Sequence, residues 1–392
     1  MSDVRLKRSC WLEISLDNLR DNFMAYKKMV GPDIKIMPAI KANAYGHGII
    51  ACGKELEACG ADYLGVGDIR EAIALRKSGV AMPLLIFASN TIAEVADLYM
   101  EYRLIPTILS VAEAESISAA AGKKTPVFVK IDTGRGRLGI NAEEFPDFYR
   151  KITALPNIHV EGVYSHIAGG GWPGKEPDYT VWQYERFAGA IDALGEDGQK
   201  IPFRQLANTP VGIAYPQIRM TAVCPGRAMW GYSPLSMREE HPVLNRPMTA
   251  WKSRLVHINE VCGGKFGEKY AATKLSAPLR IGIMAGGLGD GLSPKLATGS
   301  VLLRGKRVPV ASSLSLEHTI LDLTSCPEAE VGDEVVIFGK QGNEEITLDQ
   351  RMEEWGKGIP GMWVDISPHV ARLYFKNNEL FAIAESETLT MA

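Results

Sequence analysis

The sequence predicts an α/β protein in which a (β/α)8 TIM-type barrel is followed by a C-terminal all-β domain. At 392 residues the chain exceeds the size at which one hydrophobic core usually stops growing, so two domains are expected. Short apolar runs alternate with helix-length amphipathic segments from about residue 34 to about residue 225, which is typical of βα units around a parallel sheet. After about residue 240, short apolar runs separated by Gly, Pro and Asn indicate β structure.

Eight apolar, β-rich runs are the strand candidates of the first domain, and eight strands close a (β/α)8 barrel. Segments between them, such as residues 68–79 and 178–198, have the apolar spacing of helices and end in glycine. An open doubly wound sheet fits the same alternation, but no dinucleotide-binding glycine fingerprint follows the first run. The runs are IKIMPAI (34–40), YLGVG (63–67), PLLIFA (83–88), LIPTIL (104–109), PVFVKI (126–131), HVEGVYSH (159–166), FRQLA (203–207) and MTAVC (220–224).

The change of pattern near residue 240 predicts the domain boundary. We expect residues 1–240 to form the barrel domain and residues 241–392 to form the β-domain. An early apolar run, CWLEISL at residues 10–16, stands outside the eight barrel strands. It is a candidate strand of the β-domain.

Composition and charge favour small-molecule chemistry. The formal net charge is -3, and the interspersed charges leave no basic stripe for nucleic acid. The N-terminal segment reaches Glu13 and Asp17 without the apolar stretch of a signal peptide, and no window has the roughly 18 apolar residues of a membrane span. We therefore expect a cytoplasmic protein that binds neither nucleic acid nor membranes.

The cysteines indicate neither disulfides nor a metal site. They are scattered through the chain without paired C-x-x-C spacing, so a disulfide framework and a zinc site are both disfavoured. We expect mostly buried, reduced thiols and no bound metal. The six are Cys10, Cys52, Cys59, Cys224, Cys262 and Cys326.

The most informative segment is KANAYGHG (41–48), which follows the first predicted barrel strand. The carboxyl end of a barrel strand lines the active-site face. A lysine there can act as an amine nucleophile that forms a Schiff base with a carbonyl group. Taken alone, Lys41 fits this role and also fits a strand-end lysine that reaches solvent.

The eight consecutive residues of KANAYGHG resemble the cofactor-lysine motif of the alanine racemase family, which are fold-type III enzymes that use pyridoxal 5'-phosphate (PLP). The resemblance implies that Lys41 binds PLP as a Schiff base and also acts as the base on one face of the substrate. It implies that Tyr45 contacts the cofactor phosphate. The similarity continues in the expected order from Trp11 to about Arg372.

Two later segments extend the implied cofactor site. KIDTGRGRLG (130–139) is similar to the family segment whose arginine hydrogen-bonds the phenolic oxygen of PLP and the substrate carboxylate, a role that falls to Arg137. The lysine at the position of Lys130 is often carbamylated in the family, and an unmodified lysine in an ion pair is the alternative. His166 ends a segment whose histidine stacks on the pyridine ring, and a polar core histidine is the alternative there.

The remaining cofactor contacts follow the last two predicted strands. Asn208 and Thr209 match the phosphate-binding segment, with Thr209 in the position of a serine, and a hydroxyl preserves that hydrogen bond. Gly226 and Arg227 match a segment whose glycine lets backbone N–H groups approach the phosphate. Cys224 replaces the arginine that faces the pyridine nitrogen in the family, and its thiol or thiolate would change the electronic properties of the ring.

The substrate side departs from the family pattern. A tyrosine that the family supplies across a dimer interface as second acid/base corresponds to Phe266, and a phenyl ring carries no transferable proton. Tyr270 matches a supporting tyrosine, and Leu316 with Glu317 replaces a Met-Asp pair. The candidate replacement proton donors are Tyr270, His318 (which follows Glu317), Cys224 and a bound water. Tyr270 and His318 are therefore our candidate catalytic residues besides Lys41.

We predict a PLP-dependent amino-acid racemase, an isomerase of amino-acid metabolism that acts at the α-carbon of a small amino acid bound to PLP as an external aldimine. The resemblance implies a homodimer. One alternative is a one-base PLP-dependent lyase, aldolase or epimerase acting on a D-amino acid or an unusual amino acid, which the loss of the second phenol favours. Another is a non-catalytic PLP-binding protein, and the presence of a β-domain counts against it.

Overall fold

A computed structural model describes residues 6–87, 90–168, 178–232, 243–261, 265–266, 273–274, 278–359, 361–385 and 388–391. The chain divides into two compact units. The barrel unit comprises Asn18–Ala44 and Cys52–Arg246, and the β unit comprises Met1–Asp17, Tyr45–Ala51 and Pro247–Ala392. The KANAYGHG motif is thus shared, since its first four residues belong to the barrel unit and its last four to the β unit.

The eight predicted strands are all present in the barrel unit, and they close into a ring. Consecutive strands pair in parallel, and the eighth pairs with the first through Ala222 and Lys35. Two isolated parallel bridges, Ala39 to Gly65 and Leu85 to Ile105, complete the ring. The predicted barrel is therefore confirmed over an open sheet. The strands are Lys35–Ile36, Leu64–Val66, Leu84–Ile86, Thr107–Ile108, Thr125–Asp132, Ile158–Tyr164, Phe203–Ala207 and Ala222–Val223, and a short strand, Ile140–Asn141, pairs with the fifth.

Helices connect the barrel strands, and their apolar faces pack inward. In the helix Ile69–Lys77, Ile69, Ala72 and Leu75 are buried, and the Asp68 carboxylate caps its N-terminus by accepting from the N–H of Arg70. The helices between residues 16 and 246 are Leu16–Val30, Ile49–Ala58, Ile69–Lys77, Ile92–Glu101, Val111–Ala120, Phe145–Thr153, Tyr179–Asp192, Glu196–Lys200 and Thr209–Ala214, with 3-10 turns at Pro216–Ile218 and Arg227–Trp230.

The interior of the barrel is filled with side chains. The rings of Phe128 and Phe203 pack edge to face with centroids 5.1 Å apart, and Tyr63 packs against Phe203 at 4.9 Å. Because buried side chains fill this layer, we expect ligand-binding residues at the ends of the strands, as in other barrels of this type. The buried layer consists of Met37, Tyr63, Leu85, Ile105, Phe128, Tyr164, Phe203 and Ala222.

The β unit is built around one large mixed sheet. Its early strand Cys10–Ser15 lies between Met248–Val261, with which it pairs antiparallel, and Ala371–Lys376, with which it pairs parallel. The other strands are Lys265–Phe266, Thr273–Lys274, Leu279–Ala285, Ser300–Leu303, Lys306–Pro309, His318–Asp322, Glu334–Gln341, Glu344–Ile346, Glu379–Glu385 and Thr388–Met391. The helices are Leu348–Trp355 and Gly361–Val364, with 3-10 turns at Leu288–Asp290 and Pro294–Thr298.

Across the described ranges, none of the helices has the length and apolar character that crossing a lipid bilayer requires.

Candidate active site

Lys41 stands where the first barrel strand ends, and its side chain is exposed. The residues after it wind into a left-handed turn, with φ of 55°, 53° and 54° at Ala42, Asn43 and Ala44. Non-glycine residues pay roughly 1–2 kcal/mol each for this conformation, so other contacts have to hold it. Gly67 lies against the lysine, because a Cβ at that position would come within 2.9 Å of the Lys41 Cβ.

Tyr45 begins the half of the motif that belongs to the β unit, and it is half-buried. The two glycines that follow are required by close packing. A Cβ on Gly46 would overlap the carbonyl oxygen of Trp363, and a Cβ on Gly48 would overlap the hydroxyl of Tyr374. Both glycines also have positive φ, 82° and 94°. The motif thus contains a structural requirement that the sequence analysis did not identify.

Lys130 is buried in the fifth barrel strand, with only 7% of its surface exposed. Its ammonium lies 5.3 Å from the centroid of the Tyr164 ring. Burial and repulsion from Arg137 and Lys41 together lower the pKa of Lys130 to about 8, although Asp132 opposes the shift. A neutral amine is therefore accessible near neutral pH, as the predicted carbamylation of Lys130 would need.

Arg137 lies on a loop that the Asp132 carboxylate organises. The Asp132 Oδ1 atom accepts from the N–H groups of Gly134 at 2.9 Å, Arg135 at 2.8 Å and Gly136 at 3.2 Å. The Asp132 Oδ2 atom accepts from the N–H of Arg137 at 3.2 Å. Burial raises the pKa of Asp132, but these four bonds outweigh it and hold the pKa below its usual range. The sequence analysis missed Asp132, although an aspartate followed by Thr-Gly at a strand end is a turn signal.

His166 follows the sixth barrel strand and is half-buried. Loss of hydration lowers its pKa to about 4, and the positive charges of Lys130, Lys41 and Arg137 act in the same direction. The imidazole is therefore neutral at neutral pH. A neutral aromatic ring suits stacking on a pyridine ring, which is the role the resemblance implies.

Gln183, on the helix Tyr179–Asp192, joins the loops that carry Arg137 and His166. Its Nε2 donates to the Thr133 hydroxyl at 3.0 Å and to the His166 carbonyl at 3.2 Å. Its Oε1 accepts from the N–H of Ala168 at 2.7 Å, and Gln183 is fully buried. The sequence contains no local signal for this role, because the partners lie 15 to 50 positions away.

The depressed pKa of His166 predicts an acid-dependent loss of stability in the PLP-free protein. Between pH 6.5 and about 4 the unfolded chain binds a proton at His166 that the folded chain does not, so unfolding becomes more favourable as the pH falls. The contribution is up to roughly 3 kcal/mol. Urea unfolding at pH 7 and 4.5 should show a smaller loss in His166→Asn than in wild type. An unchanged loss in the variant would rule out this assignment.

Asn208 and Thr209 lie at the end of the seventh barrel strand. The Asn208 side chain caps the helix Thr209–Ala214 by accepting from the N–H of Val211 at 3.3 Å. The buried Thr209 hydroxyl accepts from the N–H of Ala228 at 3.2 Å. Thr209 therefore connects the loop after the seventh strand with the 3-10 turn after the eighth, as expected for two loops that share one phosphate.

Cys224 ends the eighth strand, where its N–H donates to the Ala207 carbonyl at 2.9 Å. Loss of hydration raises the pKa of its thiol to about 12, although Lys41 and Lys130 lower it. This direction of the pKa shift favours the neutral thiol of Cys224 over the thiolate. Gly226 caps the 3-10 turn that begins at Arg227, and Arg227 is exposed with its guanidinium 5.7 Å from the Tyr232 ring centroid.

Besides Cys224, which lies in the barrel unit, the candidates for a second catalytic group belong to the β-domain part of the chain. Phe266 belongs to a two-residue strand, where it pairs with Thr273. Tyr270 lies outside the described residues. His318 begins the strand His318–Asp322 in the β unit, is exposed, and donates its backbone N–H to the Ser315 hydroxyl at 3.0 Å.

The carboxyl end of the barrel has the donor set that PLP requires. Lys41, Lys130 and Arg137 are close enough to repel protons from His166, so an anion would relieve their repulsion. A phosphate and a phenolate supply negative charge, and Lys41 supplies the amine for the aldehyde. The described ranges contain no group of three or more His, Cys, Asp or Glu residues placed to hold a metal. The residues present fit PLP.

Known proteins are similar to this sequence along most of its length. The family model described as "Alanine racemase, N-terminal domain" matches residues 14–234, and "Alanine racemase, C-terminal domain" matches residues 248–374. The alanine racemase of Halothermothrix orenii is 32% identical over 357 residues, which cover 89% of this chain and 92% of that protein. The alanine racemase of Methanococcus maripaludis is 31% identical over 371 residues, which cover 93% and 98%.

Solved structures show the same similarity. The alanine racemase of Clostridium difficile 630 in complex with cycloserine is 29% identical, with a TM-score of 0.84 over 97% of this chain and 100% of that one. The alanine racemase of Bacillus anthracis with bound L-Ala-P is 27% identical, with a TM-score of 0.86 over 97% and 99%. The chain therefore belongs to the alanine racemase family and is a PLP-dependent racemase of a small amino acid.

Proposed function

We propose that this racemase interconverts the L and D forms of alanine, with Lys41 as the cofactor lysine. The observation that carries the assignment is the position of Lys41 at the carboxyl end of the first barrel strand, within electrostatic reach of Lys130 and His166. The curated alanine racemases that are 31% and 32% identical to this chain support alanine as the first substrate to test.

The barrel residues divide into binding and proton-transfer roles. PLP, when bound, withdraws electrons from the substrate α-carbon and so makes its proton acidic. The Lys41 amine takes that proton from one face and returns it there. Arg137 binds the substrate carboxylate and the phenolic oxygen of the cofactor, and the neutral His166 ring restrains the cofactor plane.

The phosphate end of the cofactor has its own set of ligands in this proposal. The hydroxyls of Tyr45 and Thr209 and the backbone at Gly226 bind the phosphate, and the exposed Arg227 adds positive charge. Asn208 positions Thr209 by capping the helix that starts there. Cys224, a neutral thiol, contacts the pyridine nitrogen without placing a positive charge beside it.

Racemisation also requires a proton donor on the opposite face of the α-carbon. Phe266 has no transferable proton, so we assign this role to Tyr270, with His318 as the second candidate. We further propose a cytoplasmic homodimer. A reducing compartment is supported by the cysteines, which are scattered through the sequence without the paired spacing of a disulfide framework.

Hydrogen exchange at the α-carbon tests the reaction type. The PLP-loaded protein, incubated separately with L-alanine and D-alanine in deuterated water, should incorporate deuterium at the α-carbon of both enantiomers and convert each into the other. Chiral chromatography with mass detection measures both results. Exchange from one enantiomer alone, with no interconversion, would contradict a racemase and favour a one-base enzyme. Bound PLP without exchange from any amino acid would favour a PLP-binding protein.

A further inference from the structure

The left-handed turn after Lys41 is a strained element that needs external support. Ala42, Asn43 and Ala44 all carry a Cβ and all have φ near +54°, a region that such residues rarely adopt in succession. Within the turn, the Ala44 N–H donates to the Ile40 carbonyl at 2.9 Å. That bond leaves the N–H groups of Ala42 and Asn43 to find acceptors elsewhere.

Glu71 supplies the acceptor. Its Oε1 lies 2.5 Å from the backbone nitrogen of Asn43, a short, charge-assisted hydrogen bond. Glu71 therefore binds the backbone of Asn43, the second residue after Lys41.

The surroundings of Glu71 disfavour its charged form. Burial raises its pKa, Asp68 repels it, and the groups that lower its pKa are the backbone N–H groups of Asn43, Ala42 and Asp68. A partly desolvated carboxylate is unfavourable unless its hydrogen bonds compensate. Glu71 also lies in the first turn of the helix Ile69–Lys77, where the helix dipole favours a negative charge.

We propose that Glu71 is a positioning residue for Lys41, holding the left-handed turn so that the lysine amine stays aimed at the cofactor aldehyde. Gly67 contributes from the same βα loop, because it lets the lysine stem pass within van der Waals distance. The loop after the second barrel strand, Leu64–Val66, and the helix that follows it thus set the geometry of the lysine after the first barrel strand. The inference rests on Lys41 being the cofactor lysine.

The test is the rate at which added PLP becomes covalently attached to the apoprotein, trapped by borohydride at timed intervals and located by peptide mass mapping. Glu71→Leu leaves the turn N–H groups without a carboxylate, and we expect trapping at Lys41 to slow and the PLP dissociation constant to rise about tenfold to hundredfold. Glu71→Gln retains an acceptor oxygen and should recover most of the rate.

Glu57→Leu is the matched control. The Glu57 Oε1 accepts from the N–H groups of Ala81 and Met82, both at 2.8 Å, at the amino end of the barrel strand that follows them. This variant should lose comparable stability in urea and still trap PLP at the wild-type rate.

The outcomes separate the two proposals. Trapping of PLP at a lysine other than Lys41 in wild type would overturn the assignment of Lys41 in the proposed function. Trapping at Lys41 that is as fast in Glu71→Leu as in wild type would overturn the positioning role alone. Equal slowing in Glu71→Leu and Glu57→Leu would also overturn it, because the effect would then follow general stability.

Discussion

Lys41→Ala is expected to abolish covalent attachment of PLP and to reduce racemisation by roughly three orders of magnitude or more, because one substitution removes both the amine that binds the cofactor and a general base. Cofactor still bound through its phosphate would remain dialysable. Borohydride reduction followed by mass spectrometry measures attachment, and chiral chromatography measures the rate of alanine interconversion.

Lys35→Ala provides the control for this experiment. Lys35 lies on the strand that precedes Lys41, Lys35–Ile36, where its backbone pairs with Ala222. Its removal should leave both PLP attachment and racemisation intact. A reduced adduct that persists in Lys41→Ala, or a rate within tenfold of wild type, would show that another amine carries the cofactor.

The barrel could be predicted because each of its strands corresponds to a short contiguous run of residues in the sequence. Runs such as PVFVKI and FRQLA are apolar enough to be buried on both faces, and the structure has strands at Thr125–Asp132 and Phe203–Ala207. The predicted runs overshoot the shortest strands, since LIPTIL yields only Thr107–Ile108. The division of KANAYGHG between two units could not be predicted, because it depends on Trp363 and Tyr374, which lie more than 300 positions downstream.

In the candidate site, too, local motifs could be recognised from the sequence and contacts between distant residues could not. Roles for Lys41 and Arg137 could be predicted from contiguous motifs, but the residues that hold them in place could not. Glu71 and Gln183 act on partners distant in sequence, through hydrogen bonds that no local pattern encodes. The charge state of Cys224 could not be predicted from the sequence either, because it depends on how the folded barrel removes water from the thiol.

Asp132→Ala is expected to lower kcat/KM for alanine about tenfold to hundredfold, a magnitude that corresponds to losing charge-assisted hydrogen bonds at the site. The four N–H groups that Asp132 binds, from Gly134 to Arg137, would turn to water, and Arg137 would lose its fixed backbone position. Because Arg137 is assigned to the substrate carboxylate, the loss should appear mainly in KM. Steady-state kinetics with both enantiomers measures the split.

Two variants identify the cause of that loss. Asp132→Asn keeps the oxygen that accepts from three of the N–H groups, so most of kcat/KM should return. Asp322→Ala removes another aspartate at the end of a strand, one that accepts from the N–H of Thr324 at 2.8 Å in the β unit, and it should leave KM unchanged. If Asp132→Ala changed stability but not KM, the loop would hold Arg137 without Asp132.

The lowered pKa of Asp132 adds a second readout. The folded state binds a proton at Asp132 less readily than the unfolded chain, so its contribution to stability is present above the ordinary aspartate pKa and is lost as the pH falls through the folded-state value. Asp132→Ala should therefore be destabilised relative to wild type at pH 7, and the difference should shrink in acid. A stability difference that is constant between pH 7 and pH 3 would mean that the carboxylate is not what organises the loop. The kinetic loss would then need another explanation.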